Sequence, residues 1–258
     1  MIRLFLLTAF VALSACNASL PSSALLNLVR GERQSQLATE MRQHEFKLGQ
    51  PVLLRVFKQE GILEAWLGDE ETGRYALYKT YPICKFSGSL GPKLKEGDKQ
   101  APEGFYLVGA RQLNPNSSFH LAMNIGYPNA FDRAHGRTGS ALMIHGGCES
   151  TGCFAMTNPA IEEVYLLVDN AMRNSQKYVN IHIFPFRMSP ENMAMHANNQ
   201  WHGFWTNIKT GYDAFEATKI PPLIGVEDHR YVFYDRMLMA AAASAQTGES
   251  TGESATSF

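Results

Sequence analysis

The sequence predicts a β-rich α+β fold: a sandwich or barrel-like body of short strands with helices at its periphery. Two observations carry that expectation. β-Branched and aromatic runs recur between residues 52 and 125 at short spacing, separated by glycine, proline and aspartate turns. One clean amphipathic helical pattern follows at 158–171, without the strand–helix–strand alternation of a doubly wound parallel sheet.

Residues 1–16 read as a targeting leader. Arg3 precedes the apolar run Leu4 to Leu13, and Leu13-Ser14-Ala15-Cys16 has the form of a bacterial lipobox, in which Cys16 becomes the lipidated first residue. A lipid there would anchor the chain to a leaflet without a spanning helix, and Asn17 favours the outer membrane. The other reading is an ordinary signal peptide cut near Ala18. Residues 17–49 read as a tether plus a helix, with Leu25, Leu26 and Val29 at helical spacing and Gly31 interrupting. Strands are expected at Val52 to Phe57, Ile62 to Leu67, Tyr75 to Tyr81, Cys84 to Phe86, Gly104 to Gly109 and Phe119 to Ile125. Gly88, Gly91, Pro92, Gly97 and Pro102 supply turns, and Lys93, Lys95 and Asp98 read as solvated loop residues.

Asn158-Pro159 predicts an N-cap and first-turn proline for a helix carrying Ile161, Val164, Leu167, Val168 and Ala171 on one face. Val179 to Phe184 is the next strand, and Ser189-Pro190-Glu191 starts a short helix. Trp201, Phe204, Trp205 and Ile208 line another helix, as core or as a sugar-stacking wall, with Tyr212 and Phe215 after Gly211. Arg230 to Tyr234 is a last strand. The tail at 236–258, alanine-rich and then a doubled Thr-Gly-Glu-Ser, is expected to be disordered. One domain of about 180 residues with decorations follows from 258 residues with 45% apolar content, and the net charge of −1 offers nothing to nucleic acid.

The chemistry concentrates at 141–156. An apolar strand ends on His145, a glycine-rich turn follows, and Cys153 stands just before the predicted helix. A thiol is a nucleophile as thiolate, and an imidazole or a helix N-terminus favours that form. Gly152 and Cys153 amides could meet an oxyanion. Asp132, Arg133 and His135 lie in a polar, turn-rich stretch just upstream. Arg133 suits a substrate carboxylate, Asp132 suits either substrate or a loop staple to Arg133, and His135 suits the site or the surface.

Ile144-His145-Gly146 followed by Ser150-Thr151-Gly152-Cys153 resembles the signature of the L,D-transpeptidase (YkuD-type) catalytic domain. Gly97-Asp98, Pro102-Glu-Gly-Phe-Tyr106, Asp132-Arg-Ala-His-Gly136 and Phe184-Pro-Phe-Arg-Met188 extend the resemblance to its YafK-like subgroup, over about residues 50–235. The resemblance implies the L,D-transpeptidase-type fold, with Cys153 as nucleophile, His145 as proton donor and acceptor, Gly152 as oxyanion backbone, and Ser150 and Thr151 beside the substrate. It implies no cofactor or metal, peptidoglycan stem peptides as partners, and a Gram-negative-type envelope. The subgroup implies an amidase that cuts the bond between meso-diaminopimelate and the lysine of an outer-membrane lipoprotein. L,D-transpeptidation or L,D-carboxypeptidation is the alternative. The chain departs from the family's usual pattern of histidine before Gly-Cys and arginine two positions after the cysteine, having Thr151 and Ala155 there. An arginine's contribution must then be missing or come from elsewhere, such as Arg133.

With Cys16 assigned to lipid and Cys153 to catalysis, Cys84 and Cys148 remain, and in an oxidising envelope they are expected to pair. Cys148–Cys153 pairing or free thiols are the alternatives. The rival classes are a metal module built from His135, His145, Cys148 and Cys153, and a catalytically silent peptidoglycan-binding protein.

Overall fold

The computed structural model describes residues 20–234. The expected leader with Cys16 and the tail at 236–258 lie outside the described residues.

Helix α1 (Ala24–Gln43) opens on Ser23, whose Oγ accepts from the Leu26 amide at 3.0 Å. It runs through Gly31, contrary to the expected interruption. Gly31 is exposed with open space around it, while Leu26, Val29, Leu37 and Met41 anchor the opposite face. Burial along that face outweighs the ~1 kcal/mol that a helical glycine costs.

β1 (Val52–Phe57), β2 (Ile62–Gly68), β3 (Tyr75–Pro82), β5 (Gly104–Gly109) and β10 (Tyr178–Phe184) form one five-stranded sheet in the order β3-β2-β1-β10-β5. β1 and β10 run parallel within it, and the other pairs are antiparallel. The second sheet takes β4 (Lys85–Phe86), β6 (Leu113–Ser117), β7 (His120–Asn124), β8 (Met143–His145) and β9 (Phe154–Ala155) in the order β4-β9-β8-β7-β6. α2 (Ala130–Ala134) lies in the loop before β8, and α3 (Asn158–Arg173) follows β9. α4 (Pro190–Met195), α5 (His202–Thr218) and the hairpin β11 (Leu223–Glu227) and β12 (Arg230–Tyr234) complete the described chain.

Three strands, β6, β9 and β11, escaped the sequence reading, two of them for evident local reasons. β6 reads Leu-Asn-Pro-Asn-Ser, and its proline is tolerated because the strand lies at a sheet edge. β9 is too short to show a period.

Alternation explains the layers. Val52, Leu54 and Val56 of β1 and Val179, Ile181 and Ile183 of β10 face α3 and the second sheet in one core. The opposite faces meet a second cluster in which Phe57 and Phe184 pack with Trp205 and Ile208 of α5. β1 is buried on both faces, Arg55 included. The α5 aromatics are thus core rather than a stacking wall. α5 continues through Gly211, where a Cβ would lie 2.3 Å from the Phe233 ring, so the glycine lets the hairpin approach.

Candidate active site

Strand register sets Cys153 and His145 on one face. β8 and β9 are parallel, with Ile144 opposite Phe154 and His145 opposite Ala155. Continuing the register sets Cys153 opposite Met143. Ile144 and Phe154 point into the core, so Met143, His145 and Cys153 share the other face. The Met143 amide donates to Cys153 Sγ at 3.4 Å, and the thiol faces the Ala141 carbonyl at 3.7 Å. Parallel neighbours ordinarily need a crossover of a dozen or more residues. Here residues 146–153 suffice because the loop is stitched down at several points.

A disulfide joins Cys84, just before β4, to Cys148 in that loop. The Cys84 amide bonds to Ala155 O at 2.8 Å and the Cys148 amide to Met156 O at 3.2 Å. Ser150 Oγ donates to Cys153 O at 2.6 Å, so it shapes the loop. Thr151 is exposed at the loop tip. The Gly147 amide donates to Asn158 Oδ1 at 2.9 Å. That bond corrects the expected capping: Thr157, not Asn158, is the N-cap of α3, its Oγ1 accepting from the Ala160 amide at 3.3 Å. Asn158 is thereby free to hold the loop.

Gly152 has φ +98°, a conformation that other residues adopt only with strain. Its amide does not wait for an oxyanion, because it donates to Ser87 Oγ, which in turn donates to Lys99 O at 2.6 Å. The Cys153 amide has no hydrogen-bond partner among the described residues. Of the two amides expected to face an oxyanion, Gly152's is thus engaged and that of Cys153 is not.

His145 is 3% exposed. Its Nδ1 lies 2.6 Å from the Gly146 carbonyl, which can only accept, so the proton sits on Nδ1 and Nε2 is left as the base. The Phe119 ring lies over the imidazole at 4.9 Å between centroids. Burial lowers the His145 pKa against the raising effect of the Gly146 bond. Burial raises the Cys153 thiol, opposed by the Met143 amide and the charge of Lys93. In each case burial disfavours the charged form.

The other predicted residues lie elsewhere. Asp132 is fully buried and internally consumed: it accepts from Arg137 at 2.9 Å, from Tyr106 OH at 3.0 Å and from the Asn129 amide at 3.1 Å, closing a capping box on α2. It is a staple, but to Arg137 and not to Arg133. Arg133 is exposed, donates to Pro128 O, and lines a cavity of about 960 Å³ whose walls include neither His145 nor Cys153. His135 bonds to the His229 carbonyl at 2.8 Å and rests on Phe131. With Cys148 in the disulfide and His135 on His229, the four residues of the metal reading do not assemble, and no cluster of three or more such ligands occurs among the described residues.

Sequence reasoning missed Lys93, Ser87 and Phe119. Lys93 was expected to be solvated, yet it is 3% exposed and bonded to Lys95 O and Asp98. Burial raises the Asp98 carboxyl, but the Lys93 bond and the amides of Lys95, Leu94 and Gln100 together bring it down to about 2, so the pair stays charged. A lysine in a Gly-Pro turn carries no local signal of burial.

The model of the L,D-transpeptidase catalytic domain, YkuD, matches residues 68–181. The YafK protein of Escherichia coli K12, which carries a provisional L,D-transpeptidase designation, is 47% identical over 185 residues, 72% of this chain and 74% of its own. The corresponding protein of strain O157:H7 matches to the same extent. Among solved structures, the helical cell shape determining protein Pgp2 of Campylobacter jejuni shares 20% identity at a TM-score of 0.43, over 75% of this chain and 81% of that one. A mutant of Pgp2 aligns at a TM-score of 0.42 and 20% identity over 71% of this chain, which spans slightly less than two thirds, 65%, of that one.

Proposed function

Because the chain belongs to the L,D-transpeptidase family, we propose that it is a cysteine-dependent acyl-transfer enzyme of peptidoglycan, acting as an amidase on the bond between meso-diaminopimelate and a lipoprotein lysine. The observation that carries the reading is the placement of Cys153 and His145 on one face of adjacent parallel strands, with Nε2 left as acceptor.

His145 Nε2 takes the proton from the Cys153 thiol. The sulfur attacks the carbonyl at the L-centre of diaminopimelate, and the oxyanion meets the Cys153 amide, a donor of a kind typically contributing about 3–4 kcal/mol. The tetrahedral intermediate collapses to a thioester as His145 returns the proton to the leaving amine. Water, deprotonated by the same imidazole, cleaves the thioester and restores the thiol. An amine in place of water would make the same intermediate a transpeptidase. The absence of an arginine two positions after the cysteine, where Ala155 stands, supports the hydrolytic reading. In the cell the enzyme works in the periplasm, anchored to the outer membrane through a lipid on Cys16.

The test incubates the purified protein with lipoprotein-bearing sacculi and with free muropeptides, reading products by mass spectrometry beside Cys153→Ala. Intact lipoprotein and bare tripeptide stems are expected. New crosslinked dimers would instead establish transpeptidation, and full turnover by Cys153→Ala would remove the cysteine mechanism.

A further inference from the structure

The family's usual arginine is absent, yet the site is not without a cation. Lys93 lies in the loop between β4 and β5, and that loop is sewn to the segment leading into β8. The Thr138 amide donates to Leu94 O at 3.1 Å and the Glu96 amide to Thr138 Oγ1 at 3.2 Å. The lysine stem crosses this segment at Gly139. A Cβ there would lie 2.6 Å from Lys93 Cε and 2.8 Å from the Tyr127 ring, and Gly139 has φ +150°. Glycine is the residue that leaves this channel open. Two residues further on, Ala141 offers its carbonyl to the Cys153 thiol. The ammonium is fixed by Lys95 O at 2.9 Å and by Asp98, with the Tyr127 ring 5.9 Å away. One of its three protons has no partner among the described residues.

We propose that Lys93 is a positioning residue of this site, supplying from the β4–β5 loop the fixed positive charge that the chain lacks after its cysteine. It acts through Cys153, by favouring the thiolate formed when His145 takes the proton. Buried charges at a cysteine are screened little by salt, so the effect persists at physiological ionic strength. The other charged and titratable groups around the site are His145 on β8, Glu96 at Ser140, and the exposed Lys85–Glu149 pair. The proposal rests on Cys153 as the nucleophile.

The experiment measures iodoacetamide alkylation of Cys153 against pH, resolved by peptide mass spectrometry so that other thiols do not contribute. It needs no substrate, so its failure leaves the peptidoglycan reading standing, and failure of that reading leaves it standing. Lys93→Met is expected to slow alkylation at pH 7 by about three- to tenfold, raising the midpoint by a corresponding half to one unit. Lys93→Arg is expected to restore the rate to within about twofold. Asp98→Asn, which breaks the loop staple but keeps the cation, is expected to move the midpoint down. A folded Lys93→Met with the wild-type profile overturns the proposal. So does Asp98→Asn if its midpoint stays or rises, and that variant decides alone should Lys93→Met fail to fold.

Discussion

Glu103→Gln tests whether the turn that precedes Lys93 is held by charge. Lys58 and Glu103 are both fully buried, with Nζ 3.0 Å from Oε1. Lys58 Nζ also donates to Gly91 O at 2.9 Å and Ala101 O at 3.0 Å, so all its protons are placed. Glu103 accepts from the Gly91 amide at 2.7 Å and from Trp205 Nε1 at 2.8 Å, tying the turn that precedes Lys93 to α5. The substitution keeps the shape but leaves a buried ammonium without its counter-charge, a loss of about 3–5 kcal/mol. The new amide group also faces a donor with a donor. Against a total stability of about 5–15 kcal/mol that is a large fraction. In urea at pH 7 the midpoint should fall by about 1–2 M for a slope near 2–3 kcal/mol/M, with the slope unchanged. Burial already lowers the Lys58 ammonium below its ordinary value, and losing Glu103 lowers it further. The unfolded chain holds that proton to about pH 10.4 while the folded variant does not, so the variant gains stability as pH rises and the gap to wild type narrows from pH 7 to 10. A loss below about 1 kcal/mol at pH 7, or a gap that widens, refutes the reasoning.

Replacing Cys84 and Cys148 together by alanine opens a crosslink spanning 64 positions and should cost about 4 kcal/mol by loop entropy, read from the same urea midpoint; an unchanged midpoint would deny the bridge any role in stability. Asp132→Asn strands the buried Arg137 and should cost about 3–5 kcal/mol, yet leave Cys153 alkylation as in wild type, whereas a substrate role would appear as a raised KM with stability intact. The His145 pKa is lowered by burial and its neutral form is the base, so kcat/KM on muropeptides should hold below pH 6.5 and fall only as pH drops through the depressed value; an acid limb at or above 6.5 contradicts the assigned role.

Much of the fold was legible in residues that answer to local rules. β5 occurs at Gly104–Gly109 and β1 at Val52–Phe57, as read from the sequence, because β-branched and aromatic runs between turn residues are a near-neighbour signal. The capping of α3 was missed by one residue because Thr157 and Asn158 are both good caps, and the choice was made by the Gly147 amide on another loop. Lys93 and Asp132 were misjudged for one reason. A charged residue in a polar, turn-rich segment reads as solvated or functional, and only long-range packing shows it buried against Asp98 or Arg137.

By itself the sequence determined most of the strands and the family, and it singled out His145 and Cys153 as candidates, since motif spacing and two-residue alternation are properties of neighbours along the chain. The tertiary structure alone decided what surrounds that pair. It engaged the Gly152 amide with Ser87, buried Lys93 against Asp98, took Asp132 and His135 into other contacts, and left Arg133 on a different cavity. These outcomes depend on which loops the two sheets bring together, and hydrogen bonds and charges across such loops are satisfied by proximity in space, which no local pattern encodes.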